Sequence, residues 1–362
     1  MKIGKLTQDG YGNYGNILQN YALQEYLLKY ADAVDSIWHT PSELLSEYWQ
    51  WGMKGEIKYL INYKGFRSRV KSGRYAWEYV RNARFYDFSQ KYIHNINPES
   101  TLETIADKYD YFVVGSDQVW KPTSKRLDIG FLKFAPQNKR VSFAASMGVE
   151  RIPDAQKEYF KQSLNEMYAI SVREESAASI IEELTGRKSA VVLDPCFCLS
   201  SDKWKEIEQI PYWIPEKKYM FLYFLGPTPN DIERIEKKYG LENVRAFSKE
   251  NFYHAIISPQ EWIALIDNAD LIYTDSFHCA VFSMIFHKPF VVCDRIGDAR
   301  TQEMRTRLHT LLGRFHQEER FVDGSTGYEM EDPFAVNYDN FGSVLNRELS
   351  ISDDFVKKAF NL

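Results

Sequence analysis

Apolar strand-like runs alternate with amphipathic helix-like runs along most of this 362-residue chain. The run YDYFVV ends in Gly-Ser-Asp, for example, and the run YMFLYFLG is followed by the helix-like PNDIERIEKKYG. Strands that alternate with helices are typical of parallel sheets that carry helices on their faces. A chain of this length also exceeds the usual size of one hydrophobic core. We therefore expect an α/β protein with two Rossmann-like halves.

The alternation also predicts where each half begins and ends. Residues 1–200 are expected to form the first Rossmann-like domain, and residues 201–325 the second. Within the second, a capping box is predicted before WIALIDNA, with Ser258 at the N-cap and Glu261 at the third helical position. Residues 326–362 are expected to form a terminal tail with a helix that packs back on the first domain.

A segment at about residues 37–100 interrupts the first domain with aromatic and basic residues. Between residues 54 and 91 it carries ten Lys or Arg residues against three acids. One interpretation is a helical insert whose Lys and Arg stems cover aromatic surface. The alternative is a surface that contacts an anionic membrane face or a phosphorylated glycolipid. Half of the eight tryptophans of the chain lie in the segment, namely Trp38, Trp49, Trp51 and Trp77.

Composition and charge exclude several classes of protein. The formal net charge of −5 is opposite to the basic excess of a dedicated nucleic-acid binder. The first residues lack the apolar core of a signal peptide, and no run reaches the roughly 20 apolar residues of a membrane span. We therefore expect a cytoplasmic protein. Four cysteines in apolar segments are expected to be buried free thiols and not metal ligands: Cys196, Cys198, Cys279 and Cys293.

The segment DLIYTDSFHCAVFSMIFHKPFVV places polar residues directly after a strand that reads as buried. Asp275 or Ser276 would be the N-cap of the helix that follows LIYT. The backbone N–H groups of Phe277, His278 and Cys279 would then face the crevice where open α/β sheets bind ligands. Unpaired amides and the helix dipole favour an anion at this position. An anion would favour the protonated form of His278, which could then act as a general acid; a structural histidine is the alternative.

An anion site would also use arginine, because the planar guanidinium fork matches carboxylate and phosphate. Arg173 follows the strand AISV of the first half, and Arg295 follows the strand PFVVC of the second. We expect both to bind the anion. Arg300, Arg305 and Arg307 come soon afterwards, and solvated surface charge is the alternative for these three.

The first half would supply the opposite wall of the cleft. Its glycine-rich loop, DGYGNYGN, allows backbone to approach a ligand closely, but it is neither GxGxxG nor a P-loop and so does not indicate a nucleotide. Asn13, Asn16 and Gln19 carry amides that suit sugar hydroxyls, with an N-cap role as the alternative for Asn16. Ser116 and Asp117 follow the strand YDYFVV. Asp117 would accept a proton from an attacking hydroxyl, or it would cap the turn.

Several segments together resemble the polysaccharide pyruvyl transferase family. They occur in the order found in that family and span about residues 1–315. No single segment is specific, but the ordered set is. The matching segments are NYGNILQNYALQ (13–24), FVVGSDQVW (112–120), SFAASMG (142–148), SVRE (171–174), LDP (193–195), ADLIYTDSFH (269–278) and KPF (288–290).

The resemblance implies a GT-B-like fold, in which two Rossmann-like domains face a central cleft. It also implies transfer of pyruvate from phosphoenolpyruvate to a sugar of a glycan or of its lipid-linked precursor, a chemistry that requires no metal or redox cofactor. In the second interpretation of the basic insert, that segment would dock the protein to a membrane-bound acceptor at the inner face of the membrane. The residues expected to carry this chemistry are the catalytic His278 and Asp117, the donor-binding Arg173, Ser276, Phe277, His278 and Arg295, and the acceptor-binding Asn13, Asn16, Gln19, Ser116 and Asp117.

The chain departs from the family at one point. Many members carry Arg-Leu-His where this chain has Ser-Phe-His at 276–278, so one anion-binding arginine is missing. Cys279 stands where a Ser-Phe-His-Gly form of the motif has Gly. Arg295 or Arg300 would have to compensate for the missing arginine. Two alternative functions are a nucleotide-sugar-dependent glycosyltransferase on the same fold and a non-catalytic glycan-binding protein.

Overall fold

The computed structural model describes residues 1–8, 12–37, 74–96, 101–248, 250–295, 301–323 and 332–362. Most of the basic insert lies outside the described residues. So do the first residues of the glycine-rich loop and one candidate arginine. Expectations about these positions stay predictions: Asp9, Gly10, Tyr11, Trp38, Trp49, Trp51 and Arg300.

The first half of the chain forms a seven-stranded sheet among the described residues. Its strands are β1 (Lys2–Leu6), β2 (Ala33–Ile37), β3 (Asn95–Ile96), β4 (Tyr111–Val114), β5 (Arg140–Ala145), β6 (Ala169–Val172) and β7 (Ala190–Val191). The order is β3-β2-β1-β4-β5-β6-β7, and every pairing is parallel. This order is that of a Rossmann sheet, with one further strand at the edge.

The second half forms a separate sheet, five-stranded within the described part of the chain. Its strands are β8 (Tyr219–Tyr223), β9 (Glu242–Arg245), β10 (Leu271–Thr274), β11 (Phe290–Cys293) and β12 (Phe321–Val322). The order is β12-β11-β10-β8-β9, and all pairings are again parallel. Counted from its own first strand, this is the flavodoxin-like order of a doubly wound sheet.

Helices connect the strands, as parallel pairing requires. The described helices are α1 (Tyr14–Leu27), α2 (Arg74–Tyr92), α3 (Leu127–Gly130), α4 (Lys157–Asn165), α5 (Glu175–Thr185), α6 (Ser201–Lys205), α7 (Ile232–Tyr239), α8 (Phe252–Ala255), α9 (Pro259–Asp267), α10 (Phe277–Ile285), α11 (Thr301–Arg314) and α12 (Phe341–Ala359). None of the helices in the described ranges has both the length and the apolar character needed to cross a membrane.

The predicted capping box is confirmed at the start of α9. The Ser258 hydroxyl accepts a hydrogen bond from the Glu261 amide at 3.1 Å, and the Glu261 carboxylate accepts one from the Ser258 amide at 2.9 Å. Two of the N–H groups that a helix start leaves unpaired are satisfied in this way.

The central strands are buried on both faces. Every residue of β5, β8 and β10 is buried. A strand covered on both sides needs no polar face, which explains why YMFLY and LIYT read as continuous apolar runs without alternation.

Helix α1, which follows the first strand, packs into the second half of the protein. The fully buried ring of Tyr14 stacks on Trp262 with 5.3 Å between ring centroids and meets the edge of Tyr223 at 5.5 Å. The Tyr14 hydroxyl donates a hydrogen bond to the backbone carbonyl of Ile257 at 2.7 Å. Burial of a large side chain of this kind contributes roughly 1.5–3 kcal/mol. The amino end of α1 is therefore held between the two sheets.

Helix α2, the described part of the basic insert, also contacts the second half. Arg84 forms an ion pair with Glu261, and the guanidinium of Arg81 lies 4.5 Å from the centroid of the Phe247 ring. At these two positions the basic side chains cover protein surface, which is the first of the two interpretations proposed above. Contact with a membrane through the rest of the insert stays a prediction.

The last helix, α12, packs against the first half of the chain. The carboxylate of Asp353 accepts hydrogen bonds from the hydroxyls of Tyr26 at 2.7 Å and Tyr30 at 2.5 Å. Val356 and Phe360 join the apolar cluster around β1 and α1. The boundaries at residues 200 and 325 stay predictions. Two Rossmann-like sheets that face a common cleft make the fold α/β and GT-B-like, as expected.

Candidate active site

The carboxyl ends of the two sheets meet at their topological switch points. The strand order reverses between β1 and β4 in the first sheet and between β8 and β10 in the second. Ligands bind at such points in open α/β folds. A cavity of about 130 Å³ lies here, and its described lining residues are Gln8, Asn13, Asn16, Asp117, Gln118, Lys121, Leu225, Ser276, Phe277, His278, Arg295 and Arg307.

Ser276 is the N-cap of α10. Its hydroxyl accepts a hydrogen bond from the amide of Cys279 at 3.4 Å, so that amide is used within the protein. Asp275, the other N-cap candidate, instead accepts hydrogen bonds from the amides of Leu225 at 2.7 Å and Gly226 at 2.8 Å. The end of β10 is thereby tied to the loop after β8. The expectation that the amide of Cys279 faces the ligand was wrong, because the capping serine takes it.

His278 lies at the contact between the two halves. Its Nε2 is 3.4 Å from Oδ2 of Asp194, a residue that follows β7. Its Nδ1 faces helix α1 at Gly15, where an added Cβ would lie 2.1 Å from the nitrogen. Only a residue without a side chain allows the imidazole to approach the helix this closely.

Arg173 lies beneath the cavity and not at its surface. Its guanidinium is buried, with Nη1 at 2.6 Å from Oδ2 of Asp194 and Nη2 at 3.2 Å from Oδ1 of Asp117. It also stacks under the ring of Phe277, 4.4 Å from the centroid. Two carboxylates already balance its charge, so Arg173 supports the wall of the cavity from behind. A strand-tip position alone did not reveal that Phe277 would cover it.

Among the described residues, Arg295 and Arg307 are the arginines that line the cavity. Nε of Arg295 is 3.2 Å from Oδ2 of Asp275, and the side chain runs over Gly226, where an added Cβ would lie 2.4 Å from its Cγ. Arg307 extends from α11 and brings Nη1 to 3.8 Å from Oδ1 of Asp117. Burial, together with the neighbouring Arg173, lowers the pKa of Arg307 to about 10. Surface charge was therefore the wrong alternative for Arg307.

The buried acids of the site are held ionised. Burial alone would raise the pKa of the Asp194 carboxyl, but His278 and Arg173 lower it well below its usual range. The pKa of Asp117 is also lowered despite burial, because Arg173, His278 and Arg307 surround it. Asp194 was not among the predicted site residues. The sequence feature that could have indicated Asp194 is the position of LDP at the end of a strand-like run.

The predicted acceptor residues fall into two groups. Asn13 and Asn16 line the cavity, and Asn13 is the N-cap of α1, since its side chain accepts a hydrogen bond from the Asn16 amide at 3.3 Å. Gln19 and Ser116 are fully buried and do not line it. The Gln19 amide group donates to the Thr7 hydroxyl at 2.7 Å and accepts from the Ser116 amide at 3.1 Å. The structure thus corrects the expectation of direct acceptor contact for both, because their polar groups are used internally.

Ser116 and Asp117 connect the loop after β4 to the buried acids. The Ser116 hydroxyl donates to Oδ2 of Asp194 at 3.2 Å. Asp117 reaches the cavity with a positive φ of 67°. Its backbone carbonyl also accepts hydrogen bonds from the amides of Val119 at 2.7 Å and Ser146 at 2.9 Å. Asp117 therefore holds the loop and faces the cavity at once.

The four cysteines are buried free thiols, as predicted. Burial raises the pKa of each thiol, so none is present as a reactive thiolate near neutral pH. Within the described ranges, no three His, Cys, Asp or Glu side chains are grouped as metal ligands would be.

Comparisons with solved structures give similarities at low sequence identity. A putative UDP-N-acetylglucosamine 2-epimerase from Listeria monocytogenes is 13% identical over 99% of this chain and 96% of its own, with a TM-score of 0.48. A UDP-GlcNAc 2-epimerase from Methanocaldococcus jannaschii is 13% identical over 98% of this chain and 100% of its own, with a TM-score of 0.47. MurG from Acinetobacter baumannii is 10% identical over 99% and 94%, with a TM-score of 0.41. Because these scores are below 0.5, the fold assignment rests on the strand order.

Sequence comparison identifies the family. No curated protein matches the chain significantly. The sequence model of the family described as polysaccharide pyruvyl transferase matches residues 13–296, which include every residue named above as lining the cavity except Gln8 and Arg307. The match covers far more than half of the chain, which therefore belongs to the polysaccharide pyruvyl transferase family.

Proposed function

We propose that this transferase moves pyruvate from phosphoenolpyruvate onto hydroxyls of a sugar in a glycan or lipid-linked glycan precursor, forming a cyclic ketal and releasing phosphate. The observation that carries the proposal is the grouping of His278, Arg295 and Arg307 around one cavity at the amino end of α10. Phosphoenolpyruvate has a phosphate and a carboxylate, and this wall offers two guanidinium groups and a helix terminus for them.

The donor would lie against the second half of the protein. Arg307 takes the place of the arginine that the Ser-Phe-His motif lacks, and Arg295 supplies the second cation. The amides of Phe277 and His278 begin helix α10 and would bind an anionic oxygen, since Ser276 caps only the amide of Cys279. Phe277 covers Arg173 and holds the cavity wall in place.

His278 would act as the general acid. Its Nε2 lies 3.4 Å from Oδ2 of Asp194 and its Nδ1 faces helix α1 at Gly15, so the ring is held in one orientation. We assign to the imidazole of His278 the proton that is transferred to the methylene carbon of the donor. The carbon becomes a methyl group while the first sugar hydroxyl bonds to the central carbon of phosphoenolpyruvate.

The acceptor would lie against the first half. Asp117, held as a carboxylate, would accept a hydrogen bond from the attacking hydroxyl, and Asn13 and Asn16 would bind other hydroxyls. In the second step another hydroxyl forms a bond to the same carbon, and the carbon–phosphate oxygen bond breaks. Two hydroxyl protons are lost. One is matched by the proton gained by the methyl group, the other by the proton gained by the released phosphate.

A thermal-shift titration with phosphoenolpyruvate, UDP-glucose and GDP-mannose tests the donor. A ligand that binds only the folded protein raises stability in a graded way with concentration. We expect such a rise with phosphoenolpyruvate in the wild type and in Arg305→Gln, a control on the same helix that pairs with Asp294. In Arg307→Gln the affinity should fall roughly 10- to 100-fold, the usual effect of losing a charge-assisted contact.

Turnover tests the chemistry separately. His278→Gln should still bind phosphoenolpyruvate but release no phosphate in the presence of a panel of glycosides. A flat response to phosphoenolpyruvate together with a shift for a nucleotide sugar would contradict the proposal and favour the glycosyltransferase alternative. Activity at the inner face of the cytoplasmic membrane is part of the proposal. Pelleting with anionic vesicles, compared with neutral vesicles, would test that contact.

A further inference from the structure

Exposed apolar side chains of the second half are grouped on one surface. Ile210 and Tyr212, in the loop before β8, are 57% and 82% exposed, and Phe252 and Tyr253 of α8 are 41% and 43% exposed. Trp213, the residue after Tyr212, is partly buried. Single exposed apolar side chains are ordinary on a protein surface, but a contiguous group of them marks an interaction site.

Ring contacts join these residues into one group. Between ring centroids, Tyr253 lies 5.6 Å from Tyr212, 6.3 Å from Trp213 and 5.6 Å from Phe252. Phe252 in turn lies 6.1 Å from Trp77 of α2. Three separate segments of the chain therefore build one surface, which we call the aromatic patch: Trp77, Ile210, Tyr212, Trp213, Phe252 and Tyr253.

The patch lacks charge, and a strongly basic segment joins the structure beside it. Residues 209–215 (QIPYWIP) and 251–256 (NFYHAI) contain no Asp, Glu, Lys or Arg. Residues 54–73, which lie outside the described part of the chain, carry six Lys or Arg and one acid and lead directly into α2 at Arg74. At a rise of 1.5 Å per residue, the start of α2 is about 5 Å along the helix axis from Trp77. An uncharged aromatic surface and a basic segment are therefore adjacent.

These features distinguish between three kinds of partner. A sugar stacks on the open face of an aromatic ring, but three of the four ring contacts in the patch have interplanar angles of 70–84°, so the rings do not form a flat platform. A second copy of the chain would bring two basic segments to the same interface, where like charges repel each other. A lipid bilayer with anionic head groups matches both the apolar rings and the basic segment.

We propose that the aromatic patch docks the protein on the surface of an anionic phospholipid membrane. The rings would lie at the boundary between head groups and acyl chains, where Trp and Tyr are favoured because an apolar ring carries a polar N–H or O–H group. The Lys and Arg residues of 54–73 would be attracted to the negative head groups. The inference adds a surface of the second half to the membrane contact expected of the insert, and it rests on the proposed function for the lipid-linked acceptor.

Packed side chains connect the patch to the active site. Trp77 and Arg81 are four residues apart on α2 and so share one face of the helix, and Arg81 lies over the ring of Phe247. Phe247 stacks on Tyr14 with 5.3 Å between ring centroids, and the next residue, Gly15, faces the imidazole of the proposed general acid. Only a few side chains therefore separate a membrane at the patch from the cavity in which a lipid-linked sugar would react.

Co-sedimentation of the full chain with vesicles tests the proposal. The vesicles contain either phosphatidylglycerol and phosphatidylcholine in equal amounts or phosphatidylcholine alone, at low and at high salt. The test variant combines Tyr212→Ser with Phe252→Ser. Its matched control combines Tyr168→Ser with Phe334→Ser, which removes one Tyr and one Phe that are 42% and 37% exposed elsewhere on the surface.

We expect the wild type and the control to bind the anionic vesicles, to bind them less tightly at high salt, and to bind neutral vesicles weakly. In the patch variant the affinity for anionic vesicles should fall roughly tenfold or more, because two rings no longer enter the membrane interface. Its thermal stability without vesicles and its response to phosphoenolpyruvate should remain those of the wild type, since neither ring is buried or lines the cavity.

Three outcomes would overturn the inference. Wild-type protein that does not sediment with anionic vesicles would exclude the docking, and equal binding by the patch variant would assign the membrane contact to the basic segment alone. A patch variant that is markedly less stable without vesicles, or a wild-type dimer that the variant loses in size-exclusion chromatography, would show that protein covers the patch. Patch-dependent vesicle binding without a response to phosphoenolpyruvate would instead overturn the proposed donor and leave the docking supported.

Discussion

Nη1 of Arg307 lies 3.8 Å from Oδ1 of Asp117, so a helix of the second half reaches a carboxylate that follows a strand of the first. The same arginine is buried close to Arg173, which lowers its pKa to about 10. Arg307 lines the cavity beside a carboxylate and a second arginine, and an arginine in this position can bind an anion.

The first prediction concerns the stability of the free protein. Arg307→Gln should raise the free energy of unfolding by roughly 1–3 kcal/mol at pH 7, because it removes a buried charge next to Arg173. Urea unfolding without ligand measures this change, with Arg305→Gln as the control. A clear loss of stability in Arg307→Gln would mean that the contact with Asp117 outweighs the burial cost, contrary to our interpretation. A variant such as Arg307→Gln that gains stability but loses donor binding is expected when the replaced residue serves function and not folding.

The second prediction concerns Asp194, which faces both His278 and Arg173. Asp194→Asn removes the carboxylate that lies 3.4 Å from Nε2 of His278, so the imidazole loses a partner that holds it in place. We expect kcat to fall tenfold or more while KM for phosphoenolpyruvate changes less. The measurement is kcat and kcat/KM between pH 5 and 9, with His278→Gln as the variant that lacks the imidazole.

Asp194→Asn also breaks a buried ion pair, which costs roughly 3–5 kcal/mol of stability. Circular dichroism and thermal unfolding at each pH therefore accompany the kinetics. A folded Asp194→Asn protein with the kcat of the wild type at every pH would exclude the role of Asp194 in positioning His278 and leave it a structural partner of Arg173.

The third prediction concerns the space between Gly15 and the imidazole of His278. Gly15→Ala places a methyl group 2.1 Å from the present position of Nδ1, so the ring must move. We expect a loss of turnover of about tenfold or more, with stability changed less, since alanine is favoured over glycine in a helix by roughly 0.5–1 kcal/mol. Gly342→Ala is the control, because an added Cβ there has no neighbour within 4 Å. Equal activity of the two variants would show that the position of His278 is not critical.

The fourth prediction concerns Lys5, a fully buried residue of β1 whose ammonium group donates a hydrogen bond to Asn20. Burial lowers its pKa from 10.5 to about 7. Between these two pH values the unfolded chain binds a proton that the folded protein has released, so the contribution of Lys5 to stability rises with pH, by at most about 1.4 kcal/mol per unit. Below pH 7 both states are protonated and the contribution is constant and unfavourable.

Lys5→Met should remove this dependence. The difference in unfolding free energy between the variant and the wild type should be largest near pH 7 and should shrink toward pH 10. Guanidinium unfolding at pH 7, 8, 9 and 10 measures it, and the comparison of two proteins cancels the contributions of buried tyrosines and cysteines. A difference that does not vary with pH would contradict the lowered pKa of Lys5.

Local chemistry accounts for the parts of the site that were predicted correctly. A helix start needs an N-cap, and Ser276 and Ser258 could be predicted as caps because each directly precedes a helix-like run. His278 and Arg295 follow strands that read as buried, and the carboxyl ends of parallel strands meet at one edge. Each of these predictions depends on residues only a few positions apart in the sequence, so the local backbone conformation largely sets where they lie.

The misassigned residues depended on contacts between distant parts of the chain. Arg173 was expected to face the ligand, but Phe277, which begins helix α10 of the second half, covers it. Gln19 carries an amide that suits sugars, but the fold turns it toward Ser116. Arg307 was one of several arginines after β11, and nothing nearby in the sequence distinguishes it from Arg305.

The two parallel sheets, the capped helix that carries His278 and the family could be predicted from the sequence, because periodicity, caps and ordered motifs act over short stretches of chain. Three features became visible only in the folded protein: the arginines that line the cavity, the contacts of Asp194 with both His278 and Arg173, and a second cavity next to Gln8. The physical reason is that these relationships depend on how two separately formed sheets pack. Packing brings together residues more than a hundred positions apart, and only then are their charges paired, covered or left facing a ligand.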